Sequence, residues 1–217
     1  MEPDGRVLSL FPLNTVLFPH MELPLQVFEE RYQQMIAACL EGDRTFGVVL
    51  IKSGMEVGGP AEPHEVGTTA VITDVRPLAD GRMALAVTGQ QRFQILEIIQ
   101  ERPYLVARVA LLKEEGDPAS LASVVGTVRE LAHTCRQKAL ALNGEWVRRV
   151  RLPHEPDALS FLVAQRLPVA LPVKQRLLAA PTVAERLTQE IPLLEQERER
   201  LERLILTRQW VRNDALN

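Results

Sequence analysis

Five serines, four histidines and two cysteines are the side chains from which this 217-residue sequence would have to build nucleophilic or metal chemistry. An acyl-transfer site sets a serine on a tight, glycine-flanked elbow with a histidine base in reach. Ser9, Ser53, Ser120, Ser123 and Ser160 stand on no such elbow. Zinc hydrolysis needs two histidines one helical turn apart beside a glutamate, so that both rings face one ion. His20, His64, His133 and His154 are scattered singly and read as exposed or structurally satisfied imidazoles. Cys39 and Cys135 lack CxxC spacing, which predicts buried, reduced thiols. A phosphate-cradling loop needs Lys and Ser/Thr after its glycines, whereas Gly54, Gly58 and Gly59 lead into Pro60 and Glu62. Neighbouring acids such as Glu29/Glu30 and Glu114/Glu115 point to different helix faces. The sequence therefore predicts no catalytic residue, no metal, no cofactor and no enzymatic activity.

Binding chemistry remains. "WVRRVR", residues 146–151, is the one compact group of arginines beside an aromatic ring, the pairing that meets phosphates and stacks unpaired bases. A polar linker with Trp146 packed inward accounts for it first, and RNA binding through Arg148, Arg149 and Arg151 is the alternative. The formal net charge of -3 supplies no overall basic field, so nucleic acid is the less favoured partner. Hydrophobic residues at 46% and charged ones at 24% describe a soluble globular chain. No run approaches the roughly 20 apolar residues of a membrane span, so no membrane partner is expected. The N-terminal apolar stretch lacks a basic leader and is broken by Pro12, Pro19 and Pro24, unlike a signal peptide, and a cytoplasmic location is expected.

Two textures divide the chain into a β-rich part, residues 1–115, and a helical part, 116–217, joined at "KEEGDPAS" where Gly116 stops one and Pro118 opens the other. In the first part "RVLSLFPL" reads as a strand. "EERYQQMIAACLEG" reads as an amphipathic helix burying Tyr32, Met35, Ile36, Cys39 and Leu40, with Gly42 as its stop. "TFGVVLIK" is a second strand, and the Gly/Pro-rich run from Ser53 to Gly67 is a loop. "TTAVITDVRPL" and "RMALAVTG" form a hairpin about Asp80-Gly81, and "RFQILEIIQE" pairs with "YLVARVALL". The second part predicts a long helix ending at Gly144, two shorter ones, and a last helix opening on a Thr182/Glu185 capping box and kinked or broken at Pro192. Leu194, Leu201, Leu204 and Ile205 form only a partial stripe, interrupted by Arg198 and Arg208, which favours packing on its own bundle over a coiled-coil dimer.

"FPLNTVLFPHMELPLQVFEERYQQMI", "FGVVL", "VGTTAVITDVRPLADGRMALAVTGQQRFQI" and "PYLVARV" stand in the order and approximate spacing of the N-terminal substrate-binding domain of Lon proteases, which this chain resembles. "PDALSFLVAQRLPVALPVKQRLLAAPTVAERLTQEIPLLEQE" is similar to the helical subdomain that follows it. Neither the family's nucleotide-binding loop nor its Ser-Lys proteolytic part has a counterpart, so the chain looks like a standalone Lon-substrate-binding-domain protein. The resemblance implies an α+β fold: an N-terminal β-rich, PUA-like pseudo-barrel of about six strands with one helix, followed by a C-terminal α-helical bundle. It matches at Phe18, Pro19, Phe28, Arg31, Tyr32, Gly47, Gly67, Asp80, Gly81, Gly89, Arg92, Phe93 and Tyr104, mostly as scaffold. Phe18, Phe28 and Phe93 suit a core, Gly81 and Gly89 suit turns, and Arg31 suits pairing with a carboxylate.

The functional expectation combines the resemblance with the missing chemistry. It is a non-catalytic protein- or peptide-binding module that holds unfolded or regulated proteins, alone or as an adaptor in protein quality control for a protease acting in trans. Its binding residues are expected to be Met55 and Val57, on the loop Ser53 to Val66 and adaptable in their contacts, with Arg31, Tyr32 and Arg92, in a groove between barrel and bundle.

Overall fold

A computed structural model describes residues 5–59, 61–79, 82–114, 118–143 and 151–214. Packing separates two compact units, Met1–Lys113 with Ala170–Ala179, and Glu114–Val169 with Ala180–Asn217. The Asp80-Gly81 turn, Gly116, Gly144, and Trp146, Arg148 and Arg149 lie outside the described residues.

The first unit is β-rich. Its strands are β1 (Arg6–Leu13), β2 (Glu22–Val27), β3 (Thr45–Gly54), β4 (Ala61–Pro63), β5 (Val66–Pro77), β6 (Met83–Gln100) and β7 (Leu105–Leu111). β1 pairs antiparallel with β7 through Arg6–Leu10 and parallel with β3 through Leu10–Leu13. With the order β7-β6-β5-β3 this closes a ring of strands and leaves few edges for outside pairing. β2 adds to the first half of β6, and β4 to the end of β3. The pseudo-barrel expected from the family resemblance is present.

Two prolines that the sequence offered as breaks lie inside strands. Pro24 sits in β2, which pairs only with β6 among the described residues, so its missing donor falls on a free edge. Pro12 lies beyond the β7 ladder, which ends at Leu10. "RMALAVTG" and "RFQILEIIQE" are one strand of 18 residues rather than two. Register shifts opposite β5 and β7 bend it around the barrel and do the work a chain break would have done. Gly89 lies in this stretch, where a Cβ would meet the Phe18 carbonyl oxygen at 2.2 Å. The two backbones are stitched there, His20 N–H donating to Gly89 O and Gly89 N–H to Met21 O.

Helix α1 (Glu30–Glu41) lays Tyr32, Met35, Ile36 and Cys39 against Phe11, Leu13, Phe46, Val48, Ile72 and Val87. A second cluster of Leu8, Leu10, Val49, Phe93, Ala107 and Val109 comes from strands alone. Gly42 caps α1 as expected, but the left-handed residue of the turn is Arg44, at φ 60°, whose N–H reaches Cys39 O. A helix from late in the sequence, α4 (Leu171–Ala179), belongs to this unit. Its Gln175 side-chain amide donates to Val66 O at 2.9 Å, and Arg92 gives Nη1 to Leu178 O at 2.7 Å.

The second unit holds α2 (Pro118–Leu142), α3 (Pro156–Arg166) and α5 (Val183–Asp214). The Thr182/Glu185 cap forms: the Glu185 N–H donates to Thr182 Oγ1 at 3.2 Å, and that hydroxyl to Glu185 Oε1 at 3.4 Å. α5 runs through Pro192 without ending, because Leu187, Leu194 and Leu201 bury on both sides of it. Arg186 is buried, stacked 4.0 Å over the Phe161 ring and bonded to Ser160 Oγ and Glu114. Among the described residues no helix is long and apolar enough to cross a membrane.

Candidate functional site: a cleft around Tyr32

Of the five residues expected to bind peptide, Arg31 and Tyr32 line one depression of the β-rich unit, Tyr32 and Val57 a second, and Met55 lies across Gly59 beside them. Tyr32 is their floor. Its ring is buried, stacked 4.1 Å from Phe11, and Arg31 lies 4.5 Å over its other side. Burial raises the Tyr32 hydroxyl above its ordinary range, the nearby guanidinium opposing, so it stays a neutral donor.

The β3–β4 loop is tied to the start of α1 beside it. Arg31 bridges Glu29 at 3.0 Å and donates to Gly59 O at 3.2 Å, while Gly58 N–H donates to that same Glu29 oxygen at 3.1 Å and Asn14 N–H to Glu56. These bonds hold the loop over the cleft with its apolar side chains outward. Met55 is 61% exposed and Val57 52%. Met55 lies across Gly59, where an added Cβ would meet its methyl at 2.9 Å.

Two depressions share Tyr32. The larger, about 750 Å³, is walled by Arg31, Ser53, Gly59, Glu62, Arg102 and Tyr104 among others. The smaller, about 140 Å³, runs beside β2 between Phe11, Leu25, Phe28 and Val57. Glu62 is held at the rim by Lys52 at 2.7 Å and by Ser53 at 2.8 Å.

Arg92 does not join this group. It is 1% exposed, an interior residue bonded to the α4 carbonyl of Leu178, and offers nothing to a surface ligand. Phe28 reverses the other way: expected in the core, it stands 51% exposed on the rim. The sequence holds a signal for this. Phe28 precedes Glu29, the residue before the first turn of α1, and the position where a helix-entry hydrophobic contact would be made is Gln33, which is polar. With no apolar partner on the helix, the ring stays outside. Phe18 and Phe93 are buried as expected.

Among the described residues no group of three or more His, Cys, Asp or Glu is placed to hold a metal. Both cysteines are buried, and burial above all pushes each thiol up to about 11. Arg151, the one described member of the arginine cluster, is exposed.

The fold defines an α+β class, a small closed β pseudo-barrel with helices following it in sequence. The chain belongs to the family of the ATP-dependent protease La (LON) substrate-binding domain, whose model matches residues 7–196. It is 32% identical over 199 residues to Lon protease 2 of Herpetosiphon aurantiacus, covering 90% of this chain and 24% of that protein. To the Lon protease of Anaeromyxobacter dehalogenans it is 28% identical over 197 residues, covering 89% and 23%. The chain thus spans about a quarter of the length of the curated relatives it matches. The fold matches that of a Lon N-terminal domain protein from Xanthomonas campestris with a TM-score of 0.63 at 23% identity, over 85% of this chain and 96% of that one. It also matches the N-terminal domain of the Mycobacterium avium complex Lon protease, with a TM-score of 0.67 at 20% identity, over 88% and 98%.

Proposed function

We propose that this chain is a non-catalytic module that binds exposed apolar segments of unfolded or regulated proteins at the cleft around Tyr32, and that it serves protein quality control as an adaptor for a protease acting in trans. The supporting observation is the placing of Phe28 and Val57, both more than half exposed, along the smaller of two depressions that share one aromatic floor, with the exposed Met55 lying across Gly59 on the wall of the larger. Large apolar side chains are held at a surface at a cost of about 1.5–3 kcal/mol each when fully exposed. A segment that covers all three recovers part of that, which suits weak, reversible capture. Membership of a family described by substrate binding agrees with this reading.

The rim argues for polypeptide over nucleic acid. Arg31 and Arg102 line it together with Glu62 and Glu101, a mixed border that gives a polyphosphate no net attraction and suits backbone and side chains of either sign. Titration with a reduced, carboxymethylated and so permanently unfolded protein tests the proposal. Saturable binding below about 100 μM that persists at about 0.5 M salt is expected. No binding, or binding abolished by salt, would overturn it.

A further inference from the structure

The helical unit contains a separate cavity of about 200 Å³ between α2, α3 and α5. Its wall is aliphatic, with Leu162 and Leu167 on one side and Leu194 and Leu201 on the other. Cys135 closes it as a neutral thiol bonded to Leu194 O at 3.4 Å. An apolar cavity of about 150 Å³ accepts benzene, so this one has room for a single large aliphatic or aromatic side chain and not for a long alkyl tail.

Its mouth carries two exposed guanidinium groups, Arg136 of α2 and Arg166 at the end of α3. Neither has a hydrogen-bond or ion-pair partner among the described residues. They stand near enough to feel each other: burial first, then the Arg136 charge, holds Arg166 below its ordinary range. The carboxylate that also lines the cavity is already engaged, Glu197 accepting from Arg200 Nε and Nη2 at 2.6 and 2.7 Å. Lys138 and Glu202 pair with each other at 3.2 Å. An apolar slot sized for one side chain therefore opens under two cations that have no anion of their own among the described residues.

We propose that this cavity binds the C-terminal residue of a partner polypeptide when that residue is apolar, its side chain filling the slot and its α-carboxylate bridging Arg136 and Arg166. Guanidinium groups match a carboxylate with paired, charge-assisted hydrogen bonds, and the exposed mouth leaves the rest of the peptide in solvent. The site is distinct from the cleft around Tyr32 and stands or falls independently of it.

The test uses the full chain and a fluorescent Gly/Ser decapeptide ending in leucine, as the free acid and as its C-terminal amide, with hexanoate as competitor. Saturable binding of the acid is expected, weakened roughly tenfold or more by amidation and by the double variant Arg136→Ala/Arg166→Ala. Equal binding of acid and amide, or no saturable binding of the acid up to about 1 mM, overturns the proposal. Displacement by hexanoate at the concentrations where the peptide itself binds overturns it in favour of a small free carboxylate. If the double variant does not fold, the acid and amide compared on the unaltered chain carry the test.

Discussion

Gly89 shows how one missing side chain fixes the geometry of the barrel. Any Cβ there would stand 2.2 Å from the Phe18 carbonyl oxygen, and that contact is backbone that cannot swing aside. Gly89→Ala should destabilise the protein by about 2–4 kcal/mol, measured by urea unfolding, because two hydrogen-bonded chains must move apart. Glu190 is a different kind of strain. It is fully buried on α5, both carboxyl oxygens lack a hydrogen-bond partner among the described residues, and burial pushes it up to about 9 against the pull of Arg186. The folded protein therefore keeps a proton that the unfolded chain releases above its ordinary value of 4.5. The unfolded state binds fewer protons across that window, so stability falls as pH rises from 4.5 towards 9. Glu190→Gln should flatten this slope and raise stability at pH 8 by about 1–2 kcal/mol, read from unfolding curves at several pH values. An unchanged slope would mean that Glu190 is ionised in the fold.

At the scale of elements, the parts governed by local rules were legible in the sequence. β1 covers RVLSLFPL as read, with Pro12 inside it, and α1 buries Tyr32, Met35, Ile36 and Cys39 as its periodicity requires. The Thr182 cap formed as its spacing with Glu185 predicted. Thr182→Ala should cost about 1 kcal/mol in a melting experiment, since it leaves the first turn of α5 without that acceptor. What was not legible depends on long-range pairing. The continuity of β6 through Gly89 is imposed by neighbours on both edges, and the parallel β1–β3 pair that closes the ring joins segments far apart in the chain. The site was legible in part. Arg31 and Tyr32 line one depression, Tyr32 and Val57 a second, and Met55 lies across Gly59 beside them, whereas burial of Arg92 follows from α4, a helix that no local pattern assigns to the barrel. Phe28 was misjudged because its type says core while its position beside a polar Gln33 says surface.

At the scale of the whole molecule, each of the two units offers apolar surface, and among the described residues neither holds a group of three or more His, Cys, Asp or Glu placed for a metal. That combination, in a chain of the Lon substrate-binding family, is the basis for reading it as a receptor for other proteins. The rim residues Phe28, Met55 and Val57 contribute little to the core, so replacing them leaves the fold intact while removing the proposed contact surface. The most direct measurement compares the affinity of an unfolded, carboxymethylated protein for the unaltered chain and for Phe28→Ser/Met55→Ser/Val57→Ser, with both melting cooperatively at similar temperature. The account predicts affinity reduced at least about tenfold in the triple variant. Equal affinities of the two proteins would contradict it.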